Sequence, residues 1–218
     1  MQTPVTGPIA IALLFLGAYL AGCFNTGYYL VRWLRGRDIR MMHSGAAGAR
    51  NASRILGAWG FVPVFVGDAA KGALVVALGA FAVRHGMAAY LLPWLIPVVV
   101  IGHIWPIQLG FRGGKGLSVA AGAFLYVDFR VVAGFLVAYF AVGALFKYLF
   151  DEHAGKRAGM TAAFVIVPPV ALALLGKDWF APSLAISLLF TISHRGNFSR
   201  IPLRAGNEQA SPDPAGRS

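Results

Sequence analysis

Two stretches of this chain combine cations, a histidine and glycines in a pattern suited to phosphate chemistry. Gly102-His103-Ile104-Trp105-Pro106 is followed by Phe111-Arg112-Gly113-Gly114-Lys115-Gly116. Glycines admit positive φ and leave backbone N–H groups exposed, while Arg112 and Lys115 add fixed charge. The pair sits directly behind the apolar residues 91–101, so a phosphate held there would lie at the depth of lipid headgroups. Histidine is the commonest general base near neutral pH, which makes His103 a candidate for proton removal. A lone histidine at a helix end is equally familiar as a hydrogen-bonded structural residue.

A second small-residue loop runs over 43–54, His43-Ser44-Gly45-Ala46-Ala47-Gly48-Ala49-Arg50-Asn51-Ala52-Ser53-Arg54. Arginines beside backbone N–H groups bind phosphate bidentately. The competing reading is a solvated basic loop, which needs the cations but not this density of glycine and small polar residues. Asp68 and Lys71 lie three apart inside an apolar run and so share a helix face. Ionisable groups in a span are costly and are paired or functional, and here they can pair with each other. His194-Arg195-Gly196-Asn197 closes the last apolar run, either as part of a site or as a basic interface anchor.

The elements that position these residues are apolar helices. The 218 residues are 58% hydrophobic and 12% charged, with 27 glycines, whereas soluble domains carry about a quarter charged residues. Apolar runs cover residues 9–31, 61–83, 88–109, 117–127, 131–150, 161–175 and 181–192, and most approach the ~20 residues needed to cross hydrocarbon. The run 117–127 is short, but counting it as a span decides the charge distribution. With seven spans and the N-terminus outside, of the 19 Lys and Arg only Arg84, Arg130 and Lys177 fall outside, and Lys71 lies within a span. The positive-inside bias therefore predicts an all-α polytopic bundle of about seven membrane helices, N-terminus outside and C-terminus cytoplasmic. It gathers loop 32–54, loop 112–115 and the tail on one face. A single membrane domain over 1–206 and a disordered cytoplasmic tail over 207–218 follow.

Several function classes lose ground. The net charge of +11 resides in short loops between spans, which argues for a membrane face over nucleic acid. Cys23 is the single cysteine, so there is no disulfide framework or cysteine zinc site, and it is expected to pack in the first span. The N-terminus lacks a basic stretch before its apolar run, which predicts a permanent first span over a cleaved signal peptide. No carboxylate pair shares a loop, and no metal-spaced histidine pair or nucleotide-binding Gly-x-x-x-x-Gly-Lys-Ser/Thr loop occurs. No histidine is followed five positions later by aspartate, the arrangement of the large glycerolipid acyltransferase superfamily. A transporter would place polar groups near the midplane and often shows repeats, whereas here they cluster at one face.

Taken together the loops resemble the bacterial acyl-phosphate:glycerol-3-phosphate acyltransferases, the PlsY family. The family's Gly-Ser-Ile-Pro-Thr-Gly stands here as Gly22-Cys23-Phe24-Asn25-Thr26-Gly27. Its Gly-Ser-Gly-Asn-x-Gly-x-x-Asn-x-x-Arg loop stands as 43–54, and Asp68-x-x-Lys71-Gly72 follows. Its Gly-His-x-x-Pro and Phe-Lys-Gly-Gly-Lys-Gly stand as Gly102 through Gly116, and its His-Arg-x-Asn-Ile as His194-Arg195-Gly196-Asn197-Phe198. Departures are Cys23, Asn25, His43, Ala46, Arg112 and Val119, where the family has serine, proline, glycine, asparagine, lysine and threonine.

The resemblance implies transfer of a fatty acyl group from acyl phosphate to the sn-1 hydroxyl of glycerol 3-phosphate, giving lysophosphatidic acid and phosphate. His103, Ser44 and Lys115 are the implied catalytic residues. Ser44 would hydrogen-bond substrate, since no base–orienter pair flanks it as a nucleophile. Asn51, Arg54, Arg112, Gly113, Gly114, Gly116, His194 and Asn197 are the implied phosphate-binding residues. An acyl phosphate is an activated mixed anhydride, so neither metal nor cofactor is expected. The implied location is the bacterial inner membrane with the site on the cytoplasmic face, among membrane lipids and without nucleic acid. The alternative carried by the departures is a non-catalytic or repurposed paralogue that binds or transports a phosphorylated lipid precursor.

Overall fold

The computed structural model describes residues 7–198, and among them all regular structure is helical. The nine α-helices are α1 Pro8–Cys23, α2 Thr26–Arg35, α3 Ala49–Leu56, α4 Phe61–Arg84, α5 Leu95–Ile104, α6 Leu117–Val127, α7 Phe129–Leu149, α8 Glu152–Leu175 and α9 Phe180–Phe198. Each of the apolar runs seen in the sequence contains helix. Five helical stretches are long and apolar enough to cross a membrane: Pro8–Arg35, Ala58–Arg84, Ala89–Leu109, Phe129–Leu149 and Glu152–Leu175. The α6 helix is shorter, and α9 carries the polar Ser193-His194-Arg195 before its end at Phe198. The chain is thus a multi-pass membrane protein. The tail over 207–218 lies outside the described residues.

Two apolar runs are not the continuous helices expected. The first breaks at Phe24–Asn25, whose extended backbone (ψ 102° and 101°) separates α1 from α2. The third begins as a 3-10 turn over Ala89–Trp94 containing Pro93 and gives way to α5, as proline removes an N–H and clashes with the preceding turn. Residues 49–54, read as loop, wind into α3.

Glycine explains how the helices come so close. A β-carbon on Gly22 would sit 2.2 Å from the Val99 carbonyl oxygen, and one on Gly102 would sit 2.1 Å from that of Tyr19. This reciprocal contact locks α1 to α5. Gly72 and Gly122 do the same for α4 and α6, with hypothetical distances of 2.0 Å to the Val119 oxygen and 1.9 Å to the Ala69 oxygen. In lipid, helix association depends on close packing rather than on hydrophobicity, so such small-residue contacts carry the bundle. Around them Val76, Leu95, Val99, Val100, Val119 and Ile186 form a buried core. The outermost helix, α7, leaves Val137 and Phe140 exposed and meets α8 through Gly155 and Gly159.

Candidate active site

The phosphate-suited loops, far apart in sequence, meet at one end of the bundle. Ala47 N–H donates to the Gly113 carbonyl (3.1 Å), joining the 43–48 loop to the glycine loop. Ser193 Oγ donates to the Lys115 carbonyl (3.2 Å), bringing in the end of α9. Arg40 is the third tie: it pairs with Asp38 (2.7 Å), lies over the Tyr28 ring and donates to the carbonyls of Leu109 and Arg112. The Arg40 guanidinium holds the Asp38 carboxyl below the usual carboxylate range.

Local backbone geometry explains the residue types. His43 (φ 46°), Gly45 (φ 71°), Gly110 (φ 61°) and Phe111 (φ 58°) are all left-handed. Such positions favour glycine, with histidine among the more tolerated exceptions. His43 therefore occupies a backbone position that glycine would meet without strain. Inside the first loop, Asn51 is 2% exposed. Its Nδ2 donates to the carbonyls of Ile39, Met42 and Ala46 (3.0–3.1 Å), and its Oδ1 accepts from Ser44 N–H (3.4 Å). The Asn51 amide thus holds the loop that presents Ser44.

A cavity of about 580 Å³ opens between these segments. Its polar wall is made by Ser44, Arg112, Lys115, Ser193 and Arg195 with the backbone of Gly113 and Gly114, and Ile104, Trp105 and Ile192 supply apolar wall. Three cations thus face one concavity beside a glycine turn, an arrangement that can neutralise phosphate and present N–H groups to it.

Behind this wall lies a buried polar network. His103, 2% exposed, sits against Gly114, where a β-carbon would fall 2.0 Å from its Nε2. Gly114 N–H also donates to the His103 carbonyl (3.0 Å). On the other side, His103 Nδ1 is 2.9 Å from Lys71 Nζ, which pairs with Asp68 at 2.9 Å and donates to the carbonyls of Gly22 and Phe24. Asp68 Oδ1 accepts from Thr26 Oγ1 (3.0 Å) and Thr26 N–H (3.3 Å), placing a carboxylate at the electropositive start of α2. Asn25 Nδ2 donates to the Cys23 carbonyl (3.1 Å) and the His103 carbonyl (3.4 Å).

Of the residues singled out in the sequence, Ser44, Arg112, Gly113, Gly114 and Lys115 line the cavity. His103 lies beneath Gly114 rather than in the wall, and Gly116 (φ 86°) ends the loop at the start of α6. Arg54 is exposed on α3, outside the lining. His194 is buried, its Nδ1 against the Phe190 carbonyl (2.9 Å) and Ser193 Oγ (3.1 Å). The side chain of Asn197 lies outside the described residues. Arg195, read with His194 as part of a site or as an interface anchor, lines the cavity, and so does Ser193, which had not been singled out. Their adjacency to His194 was visible, but the register of the last turn of α9 was not.

A sequence profile described as glycerol-3-phosphate acyltransferase matches residues 12–203. The chain is 38% identical to glycerol-3-phosphate acyltransferase 1 of Desulfitobacterium hafniense, covering 86% of this chain and 89% of that one. It is 35% identical to the glycerol-3-phosphate acyltransferase of Synechococcus elongatus, covering 92% of each. The chain belongs to the glycerol-3-phosphate acyltransferase family. Its fold matches the crystal structure of PlsY, an integral membrane glycerol 3-phosphate acyltransferase, in the glycerol 3-phosphate form. The TM-score is 0.70 at 26% identity, over 88% of this chain and 91% of that one. Against this acyltransferase family, the departures have structural places. Asn25 bridges the α1–α2 break to α5, Cys23 is buried beside it, Val119 faces α4, and Ala46 lines the cavity.

Proposed function

We propose that this enzyme transfers a fatty acyl group from acyl phosphate to the sn-1 hydroxyl of glycerol 3-phosphate, releasing lysophosphatidic acid and phosphate. The carrying observation is the cavity that puts Ser44, Arg112, Lys115 and Arg195 beside the Gly113–Gly114 turn. Both substrates carry phosphate, so their mutual repulsion must be offset before an alcohol can reach the acyl carbon. Cations and N–H groups fixed in place supply that stabilisation without reorganising during the reaction. Arg54, a long side chain at the end of the loop helix, is assigned to the same phosphate group, and the Ser44 hydroxyl to a substrate oxygen.

The attacking hydroxyl forms the ester C–O bond as the bond from acyl carbon to phosphate breaks, and the hydroxyl proton ends on the departing phosphate. His103 is assigned a positioning role. Lys71 occupies its Nδ1, and its ring props Gly114, so it shapes the glycine turn from behind. Proximity of the two bound substrates supplies much of the remaining acceleration. The site is assigned to the cytoplasmic face of the bacterial inner membrane, where the cation distribution places these loops.

Purified protein given acyl phosphate and labelled glycerol 3-phosphate should form labelled lysophosphatidic acid, and acyl-CoA in a parallel reaction should not replace acyl phosphate. Absence of product from acyl phosphate, or equal product from acyl-CoA, in folded, lipid-supplied protein overturns the proposal.

A further inference from the structure

Arg35 and Arg37 form a second cationic concavity, apart from the catalytic cavity. Its volume is about 350 Å³, and Met42 and Ile55 complete its lining. Neither arginine has an ion-pair partner among the described residues. Asp38 is the one carboxylate between residues 26 and 60, and it is engaged by Arg40 through both carboxylate oxygens. The reason the two guanidiniums stand together is local. Gly36 takes a left-handed conformation (φ 65°), ends α2 and turns the chain back, setting Arg35 and Arg37 on either side of the turn.

The surroundings are those of a membrane interface. Trp33 is 81% exposed and Met41 80% exposed, and Leu34 and Trp59 are exposed as well. The α2 helix is amphipathic, burying Gly27 and Val31 while presenting Tyr29 and Trp33 outward. Tryptophan with arginine at the end of an apolar helix marks headgroup depth. Two free guanidiniums above apolar floor residues at that depth match an anionic headgroup with its glycerol and upper acyl segments. A zwitterionic headgroup would bring a quaternary amine against the same charges.

We infer that the Arg35–Arg37 concavity is a binding site for an anionic phospholipid of the surrounding bilayer, seated by its phosphate on the two guanidiniums and by its acyl chains along Trp33 and Leu34. It lies outside the catalytic cavity and needs none of the catalytic residues.

The test uses full-length protein in mixed micelles titrated with phosphatidylglycerol or phosphatidylcholine, with retained lipid counted by native mass spectrometry. Wild type should retain phosphatidylglycerol with a preference of roughly tenfold, since each basic residue near a membrane surface attracts anionic lipid measurably. The Arg35→Gln/Arg37→Gln double variant should lose that preference, whereas Lys115→Ala, which disables the other cationic cavity, should keep it. Millimolar inorganic phosphate should not displace the lipid. Equal retention of both lipids, a preference untouched in the double variant, a preference lost in Lys115→Ala, or displacement by phosphate overturns the inference, the last by making this a free-anion site. A second measurement needs no arginine variant. Quenching of Trp33, read as the difference between wild type and Trp33→Phe, should be stronger with brominated phosphatidylglycerol than with brominated phosphatidylcholine, and equal quenching overturns the inference.

Discussion

Lys115 and Arg54 represent two kinds of cation in the proposed function, one in the cavity wall and one exposed on α3 outside the lining. Removing a charge-assisted phosphate contact costs about 1.5–3 kcal/mol, or roughly one to two decades of kcat/KM. Lys115→Ala and Arg54→Ala should each lose that much while remaining extractable and folded, and normal steady-state kinetics in either variant removes that residue from the phosphate site. Ala46 lines the same cavity at the position where the resemblance places an asparagine. Ala46→Asn should hold or improve the KM for glycerol 3-phosphate, because a satisfied hydrogen bond contributes about 1 kcal/mol. A clear loss, together with robust wild-type turnover of another phospho-alcohol, would identify that alcohol as the acceptor.

At the scale of elements, the site depends on ties between segments that are far apart in sequence. The Asp38–Arg40 pair holds the turn before the first loop, and Arg40 reaches from there to the glycine-loop carbonyls. Because Arg40 lowers the Asp38 pKa in the folded protein, the pair stabilises the fold above about pH 4 and loses that contribution as pH falls through the lowered value. The partial exposure of both groups limits this to about 1 kcal/mol, or about 2–4 °C in melting temperature. Asp38→Asn should melt lower than wild type at neutral pH, and the gap should close in acid; a gap that is constant with pH refutes the assignment. The α4–α6 contact is a harder constraint. Gly122→Ala would drive a β-carbon to 1.9 Å from the Ala69 oxygen, so the helices must separate, at a cost of about 1–3 kcal/mol. Thermal unfolding in detergent should show the loss, and an unchanged melting point would mean that α6 is free to shift.

Over the whole molecule, the hydrogen bonds from Ala47 to Gly113 and from Ser193 to Lys115 require that three loops share one side of the membrane. Cysteine-accessibility labelling should therefore find positions near Arg50 and Arg112 on the same face, the cytoplasmic one by the cation distribution. Labelling from opposite faces refutes the topology.

The amino-acid sequence by itself determined the membrane class, the positions of the apolar helices and the glycine-rich, cationic character of the Arg112–Lys115 loop, because composition, hydropathy and glycine spacing are local properties. Even the pairing of Asp68 with Lys71 was legible from three-residue helical spacing. Only the tertiary structure decided that His103 stands behind Gly114, that Asn51 binds loop carbonyls, and that Ser193 and Arg195 enter the cavity wall. Those outcomes depend on which helices meet and in what rotation. That rotation is set by glycine contacts such as Gly22 with Val99 and Gly72 with Val119, whose partners lie dozens of residues away and leave no periodic mark in the chain.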